Sequence, residues 1–339
     1  MISLYRWQPG QKFGIWSEGP ELPANISQIP DGEVWWIDLD SPSDEEENCI
    51  FKAFLPIHSL TLEDIRLSRR EADRPPHFPK VEEFADYLFV IANPLRTSDP
   101  SAAKPETDPA RCVVQLNGVI TPRLLVTHHY QTLSSVDDVK QFLRRHAEQA
   151  GRGPDYLFHL ILDQIVDDYA PEVDHLVNRL DEIELKVFER PSSQLVVELV
   201  HLKRRVIALR KTLILMREVL ARLIRGEFEL VDDREIAYYR NVFDHLVRYT
   251  ELIEGAREMI SDLMQTHLAA QSNKLNGIMK ALAMVSTVIL PMSLISGIYG
   301  MNFKNMPELE WQWGYYLALG MMVVVAAFAM GIFYWKKWF

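Results

Sequence analysis

The chain has 339 residues and carries 47 acidic against 36 basic side chains, a formal net charge of −11. That balance argues against a nucleic-acid partner and suits a surface that handles cations. Only two cysteines occur, Cys49 and Cys112, neither in a CxxC pair, so neither a disulfide framework nor a structural zinc site is expected.

Met1 to Gly10 shows no basic segment followed by an apolar core, so no cleavable signal is expected and the long N-terminal part should stay cytoplasmic. Residues 1–152 alternate short apolar runs with turn-rich breaks and read as a cytoplasmic α/β domain. Their β-branched and aromatic content predicts strands at Val34–Leu39, Tyr87–Ile91, Cys112–Leu116 and Arg123–Thr127. Helices are predicted at Ser43–Phe54, capped by Ser43 or Asp44 and acidic in its first turn, and at Leu133–Ala150. The proline-containing stretch Arg96–Ala110 reads as a loop.

From residue 153 to 276 the pattern is that of a helical stalk. Asp155–Glu189 is predicted helical, with Pro171 expected to kink or break it. No proline occurs between Pro191 and Pro291, and Leu195, Leu199, Leu202, Val206, Leu209 and Leu213 recur at helical spacing. A break near Gly226-Glu227-Phe228 should divide this stretch into two antiparallel helices. The second, from about Asp233, meets no stop signal before Tyr299 and would run roughly 100 Å. A helix of that length needs oligomeric partners to bury itself.

Two runs carry no charge at all, Ala281–Phe303 and Trp311–Trp335. Each exceeds the roughly 20 residues needed to span a bilayer. The chain therefore divides into a first span at 277–299, an external loop at 300–313, a second span at 314–335 and a basic tail at 336–339. Lys274 and Lys280 precede the first uncharged run and Lys336 and Lys337 follow the second, whereas the loop sets Glu308 and Glu310 against Lys304 alone. By the positive-inside rule both termini are cytoplasmic.

One stripe of the first span holds Asn276, Met279, Leu282, Ser286, Leu290, Ser293 and Gly297, at an average step of about 3.5 residues, the period of a left-handed bundle seam. Polar groups on that stripe are costly in lipid. The stripe reads either as a pore lining or as ordinary small-residue packing between helices.

The loop reads Tyr299-Gly300-Met301-Asn302-Phe303, then Met306-Pro307-Glu308-Leu309, then Trp311 and Trp313-Gly314-Tyr315. This closely resembles the CorA family of divalent-cation channels, whose signature is Gly-Met-Asn followed by a Met-Pro-Glu-Leu loop. Ser272-Asn273-Lys274, Asn276 and Met279-Lys280 extend the likeness back to the membrane entry. Weaker echoes lie at Asp163–Tyr169, Glu189-Arg190-Pro191, Arg210-Lys211-Thr212 and Pro79-Lys80-Val81-Glu82.

The resemblance implies an α+β membrane protein of the inner membrane: a funnel-shaped homopentamer with the first spans around one pore and the second spans outside. It implies transport of Mg2+ and Co2+, with Ni2+ and Zn2+ unranked. Mg2+ dehydrates reluctantly, so a mouth built from Gly300, Met301 and Asn302 would hold the hydrated ion through amide and carbonyl oxygens. Glu308 and Glu310 would concentrate cations there. Asn302 has a second reading, as a cap on the span. Met279, Leu282 and Leu290 would form apolar gating rings, with lipid packing as the other account of the two leucines. Asn276 would line the cytoplasmic exit, and Pro291 would free a carbonyl in mid-span.

Family members also sense internal Mg2+ at carboxylates between cytoplasmic domains. The matching positions are Asp86, Asp163, Asp167 and Asn241. The family commonly has Asp where Asn241 stands, and Ala85 replaces an expected acid, which should weaken such a site.

Three rivals stand beside this. A Zn2+ carrier of the related ZntB branch is favoured by those departures and disfavoured by a stripe without His or Cys. A membrane-tethered enzyme would draw on His128-His129, or on His58 with Glu63 and Asp64, though no triad, HExxH or phosphate loop is present. The third rival is a stalk-forming interaction protein whose hairpin is only an anchor.

Overall fold

A computed structural model describes residues 1–10, 14–19, 21–70, 76–96, 113–189, 193–302, 306 and 311–338. The strands are β1 (Ile2–Gln8), β2 (Ile15–Glu18), β3 (Val34–Asp40), β4 (Lys80–Glu83), β5 (Leu88–Ala92), β6 (Leu116–Ile120) and β7 (Leu124–His129). The helices are α1 (Asp44–Asn48), α2 (Ser59–Arg70), α3 (Ser134–Arg145), α4 (Ala147–Ala150), α5 (Pro154–Glu189), α6 (Ser193–Ile224), α7 (Ile236–Tyr299) and α8 (Gly314–Trp335). They fall into two compact units, Met1–Phe188 with Ser192–Asp262, and Glu189–Pro191 with Leu263–Phe339.

In the first unit the strands form one sheet in the order β2-β1-β3-β7-β6-β5-β4. Only β3 and β7 pair in parallel, Trp35 opposite Leu124 through Asp40 opposite His129; every other pairing is antiparallel. β5, β6 and β7 are buried along their whole length, as expected of strands covered on both faces. One face packs Trp35, Ile37, Phe89 and Val126 against Phe51, Phe54 and Ile65. On the other, Gly118 of β6 admits α5: a methyl group there would lie 2.4 Å from the Phe158 ring.

The predicted strand at Cys112–Leu116 is displaced. Leu116 opens β6, the chain before it contributes only an isolated bridge between Leu95 and Val113, and Cys112 lies outside the described residues. Helix Ser43–Phe54 forms with the expected capping box between Ser43 and Glu46, but turns into a π-helical segment over Cys49–Phe54. Leu133–Ala150 divides into α3 and α4, because His146 leaves helical geometry at φ −130°, ψ 59°. β1, β2, β4 and α2 had no predicted counterpart.

Pro171 neither breaks nor ends α5, which continues from Pro154 to Glu189. A proline removes one N–H and crowds one carbonyl; here the buried Tyr169, Val173, Leu176 and Leu180 on either side hold the helix in register. Beyond Gly226, whose φ is +66°, the chain turns back into α7. Arg205–Glu172 and Arg179–Glu198 join α6 to α5, and Arg210–Glu254 joins it to α7, in antiparallel register.

In the second unit α7 continues without interruption through Pro291 to Tyr299; its 64 residues measure about 96 Å. The Lys280 ammonium lies 5.7 Å from the Trp338 ring, so α8 returns antiparallel along α7. Within the chain, α7 and α8 are the two described helices long and apolar enough to cross a membrane.

Candidate ion pathway and cation-binding cluster

The stripe Asn276, Met279, Leu282, Ser286, Leu290, Ser293 and Gly297 is exposed along α7 except at the half-covered Ser286. Met279, Leu282 and Leu290 are 62%, 59% and 68% exposed. Apart from Ser286, the partly covered residues form another row, Lys280, Met284, Val288, Pro291, Met292, Ile295 and Tyr299. At 3.6 residues per turn the two rows centre roughly 180° apart. One side of the span is therefore partly shielded, and the stripe lies on the broad exposed side, flanked by the equally exposed Ile289 and Leu294.

At the end of α7 the helix tightens. Gly300 N–H bonds the Ser296 carbonyl at 2.9 Å and Met301 N–H bonds the Ile298 carbonyl at 3.2 Å, an i to i−4 bond followed by an i to i−3 bond. A side chain at residue 300 would meet the Ser296 carbonyl at 3.1 Å. Met301 and Asn302 are exposed. These two backbone bonds close the last turn of the helix, and the Asn302 amide has no hydrogen-bond partner among the described residues. Glu308 and Glu310 lie outside the described residues.

A second group lies in the first unit, on facing sides of α5 and α7. The ligand atoms of Asp163, Asp167 and His245 lie within 4.8 Å of one another. Asp163 and Asp167 are one turn apart on α5. His245 Nδ1 on α7 is 3.5 Å from Asp167 Oδ1. Burial pushes the Asp163 carboxyl above its ordinary range and the Asp167 charge adds to this, with His245 opposing. A divalent cation would relieve that crowding.

An open cavity of about 480 Å³ adjoins the cluster, lined by Tyr156, His159, Leu160, Asp163, Tyr238 and Asn241 among others. Its floor is rigid. Arg152 lies 4.1 and 4.3 Å from the ring centres of Tyr156 and Tyr238 and grips Glu235 with hydrogen bonds of 2.9–3.1 Å. His159 is only 4% exposed, and its Nδ1 has no hydrogen-bond partner. Burial, helped by the charge of Arg152, pulls its pKa down to about 4, so the ring is a neutral imidazole.

Of the four sequence-predicted sensor positions the structure brings together Asp163 and Asp167, with Asn241 exposed on the adjoining cavity wall. Asp86 is exposed in the β4–β5 turn and is not part of the cluster. His245 was missed in the sequence. Its signal is spacing: Asn241 to His245 on α7 repeats the four-residue step of Asp163 to Asp167 on α5.

Of the histidines proposed for an enzyme, His128 and His129 are internal struts and His58 is exposed. Asp38 meets His129 Nε2 at 3.2 Å and Lys140 at 2.8 Å, and accepts a 2.6 Å bond from Thr127, which itself accepts from the Trp36 indole at 2.8 Å. Burial alone would raise the Asp38 pKa, but His129 and Lys140 bring it down to about 2. On the other sheet face His128 meets Glu47 at 3.3 Å, and Glu47 also accepts from Arg66 and Tyr130. His58 stacks on Phe84, and Asp64 is paired with Lys80 at 2.6 Å.

An α/β domain and the long helices α5, α6 and α7, with α7 and α8 each long and apolar enough to cross a membrane, define the class of architecture. The sequence pattern of the CorA-like Mg2+ transporter proteins matches residues 31–337, and the chain belongs to that family of metal-ion transporters. It is 33% identical over 286 residues to the cobalt/magnesium transport protein CorA of Thermotoga maritima, covering 84% of this chain and 78% of that protein. It is 31% identical over 321 residues to the putative metal ion transporter YfjQ of Bacillus subtilis, covering 94% of each. The solved structure of the CorA magnesium transporter from Methanocaldococcus jannaschii shares the fold, with a TM-score of 0.77 at 23% identity over 97% of this chain and 96% of that one.

Proposed function

We propose that this protein conducts Mg2+ and Co2+ across the inner membrane as a funnel-shaped homopentamer with both termini cytoplasmic. The observation that carries this is the open stripe of α7, a continuous mixed polar and apolar face opposite the shielded one, leading to Gly300-Met301-Asn302. Five such faces around an axis enclose a pore with Asn276, Ser286 and Ser293 as polar rings and Met279, Leu282 and Leu290 as apolar gates. At its mouth Asn302 side-chain and Gly300 main-chain oxygens accept hydrogen bonds from the waters of a hydrated Mg2+, and Glu308 and Glu310 draw cations toward it. The stripe offers no His or Cys to a Zn2+ ion.

Internal cations are sensed at Asp163, Asp167 and His245, with Asn241 and Asp86 at most contributing through water. Imidazole in this set favours Co2+ or Ni2+ beside Mg2+.

Cation uptake into liposomes holding the purified protein tests the proposal, with Mg2+ and Zn2+ compared and an imposed pH gradient. Wild type should pass Mg2+ and Asn302→Ala should lose most of the flux. Equal flux through both proteins overturns the pore, and entry of Zn2+ without Mg2+ overturns the ion assignment.

A further inference from the structure

The basic end of the hairpin is ordered. Trp338 N–H bonds the Phe333 carbonyl at 2.9 Å and Lys337 N–H bonds the Tyr334 carbonyl at 3.0 Å, the paired bonds of a Schellman motif. Lys337 sits between them at φ +53°, a left-handed position that usually falls to glycine. The apolar contact that accompanies the motif is present too: Trp338 stacks on Phe333 with centroids 5.6 Å apart and planes 7° from parallel. The Lys280 ammonium lies 5.7 Å from the same indole, within cation–π reach.

Lys280 thus lies beside Trp338, and Lys336 and Lys337 directly precede that tryptophan at the end of an apolar span. No Asp or Glu occurs from Leu263 to Asn302 or from Trp311 to Phe339. Like charges brought to one corner repel one another unless an anion joins them. Tyr334 and Trp335, both 81% exposed, line the flank, and a tryptophan at this level belongs at the headgroup boundary. Charge alone would suit any phosphate; the apolar flank beside it suits one that carries acyl chains.

We propose that the corner formed by Lys280, Lys336, Lys337 and Trp338 binds the phosphate of an anionic phospholipid, with its chains along Tyr334 and Trp335. The assignment rests on the membrane topology proposed above, which places this corner at the cytoplasmic leaflet.

Native mass spectrometry of the full-length protein in detergent tests it, with phosphatidylglycerol, phosphatidylcholine and inorganic phosphate as separate probes. Wild type should retain phosphatidylglycerol at concentrations where phosphatidylcholine dissociates. The triple change Lys280→Gln, Lys336→Gln, Lys337→Gln should weaken retention on the order of 100-fold, about fivefold per lysine. Lys274→Gln, outside the corner, should change it less than about twofold. Trp338→Ala keeps every charge but releases the tail, and should also weaken retention. An unchanged triple variant, an unchanged Trp338→Ala, or equal retention of both lipids overturns the proposal. Phosphate binding without lipid preference overturns the lipid as ligand. Alkaline extraction of proteoliposomes separates the two levels: protein lost from the bilayer refutes the membrane topology, whereas protein retained without lipid preference refutes this corner alone.

Discussion

Gly118 shows how one missing methyl group positions a whole helix. It lets the Phe158 ring of α5 lie against β6, and the ring is fully buried, with no free volume to retreat into. Gly118→Ala should therefore destabilise the first unit by roughly 1–3 kcal/mol through overpacking, measurable as a lower denaturation midpoint of the full chain in detergent. His159 carries a different signature. Its folded pKa of about 4 lies below the roughly 6.5 of an unfolded histidine, so between those values the unfolded chain holds more protons. Stability must then fall as pH drops through that window. Between about pH 7 and about pH 5 this group alone should cost about 2 kcal/mol. In His159→Phe, which keeps a ring among Tyr156, Tyr238 and Tyr239, that part of the pH dependence should vanish. An identical pH slope in variant and wild type would show that folding leaves the His159 pKa unshifted.

At the scale of elements, the open stripe on α7 makes a prediction that the Gly-Met-Asn turn alone does not. Single cysteines introduced at Asn276, Ser286, Ser293 or Gly297 should react with small water-soluble thiol reagents and block flux, whereas cysteines at Met284, Val288 or Ile295 should stay inert. The measurement needs a background with Cys49 and Cys112 replaced, because Cys49 is free and exposed. Reaction on both faces would mean that the stripe lines no distinct aqueous path. The two apolar helices were legible in the sequence because membrane helices advertise themselves by uncharged length. Central strands β3, β5 and β7 were legible for a similar reason, as dense apolar runs. The outlying strands were not: in Ile2–Gln8, next to the edge, and in the edge strand Lys80–Glu83 polar residues interrupt the run, and pairing with a neighbour supplies what intrinsic preference lacks. Pro171 was misread because the local rule counts one lost hydrogen bond, while the buried row on either side was decided by distant partners. His245 escaped because its meaning depends on α5 and α7 meeting, which no local pattern states.

For the whole molecule the question is what covers the stripe. Polar Asn276, Ser286 and Ser293 facing lipid would cost free energy that a lone protomer has no means to recover. Self-association around an axis turns the same residues toward water and toward one another. The complex in mild detergent should then have the mass of five 39.3 kDa chains, independent of dilution over the measurable range. A second measurement distinguishes a wet lining from mere interhelical glue. The triple change Asn276→Leu, Ser286→Leu, Ser293→Leu removes every polar side chain from the stripe and leaves its leucines and Gly297 in place. A pore so lined dewets, so flux should fall to background while the five-chain mass persists. If these residues instead hold the helices together through hydrogen bonds, the same change should shift the mass toward smaller species. If they face lipid, it should leave both mass and flux unaltered. Only loss of flux in an intact five-chain assembly agrees with a conducting stripe, and the two readouts together separate the three cases without any prior choice of ion.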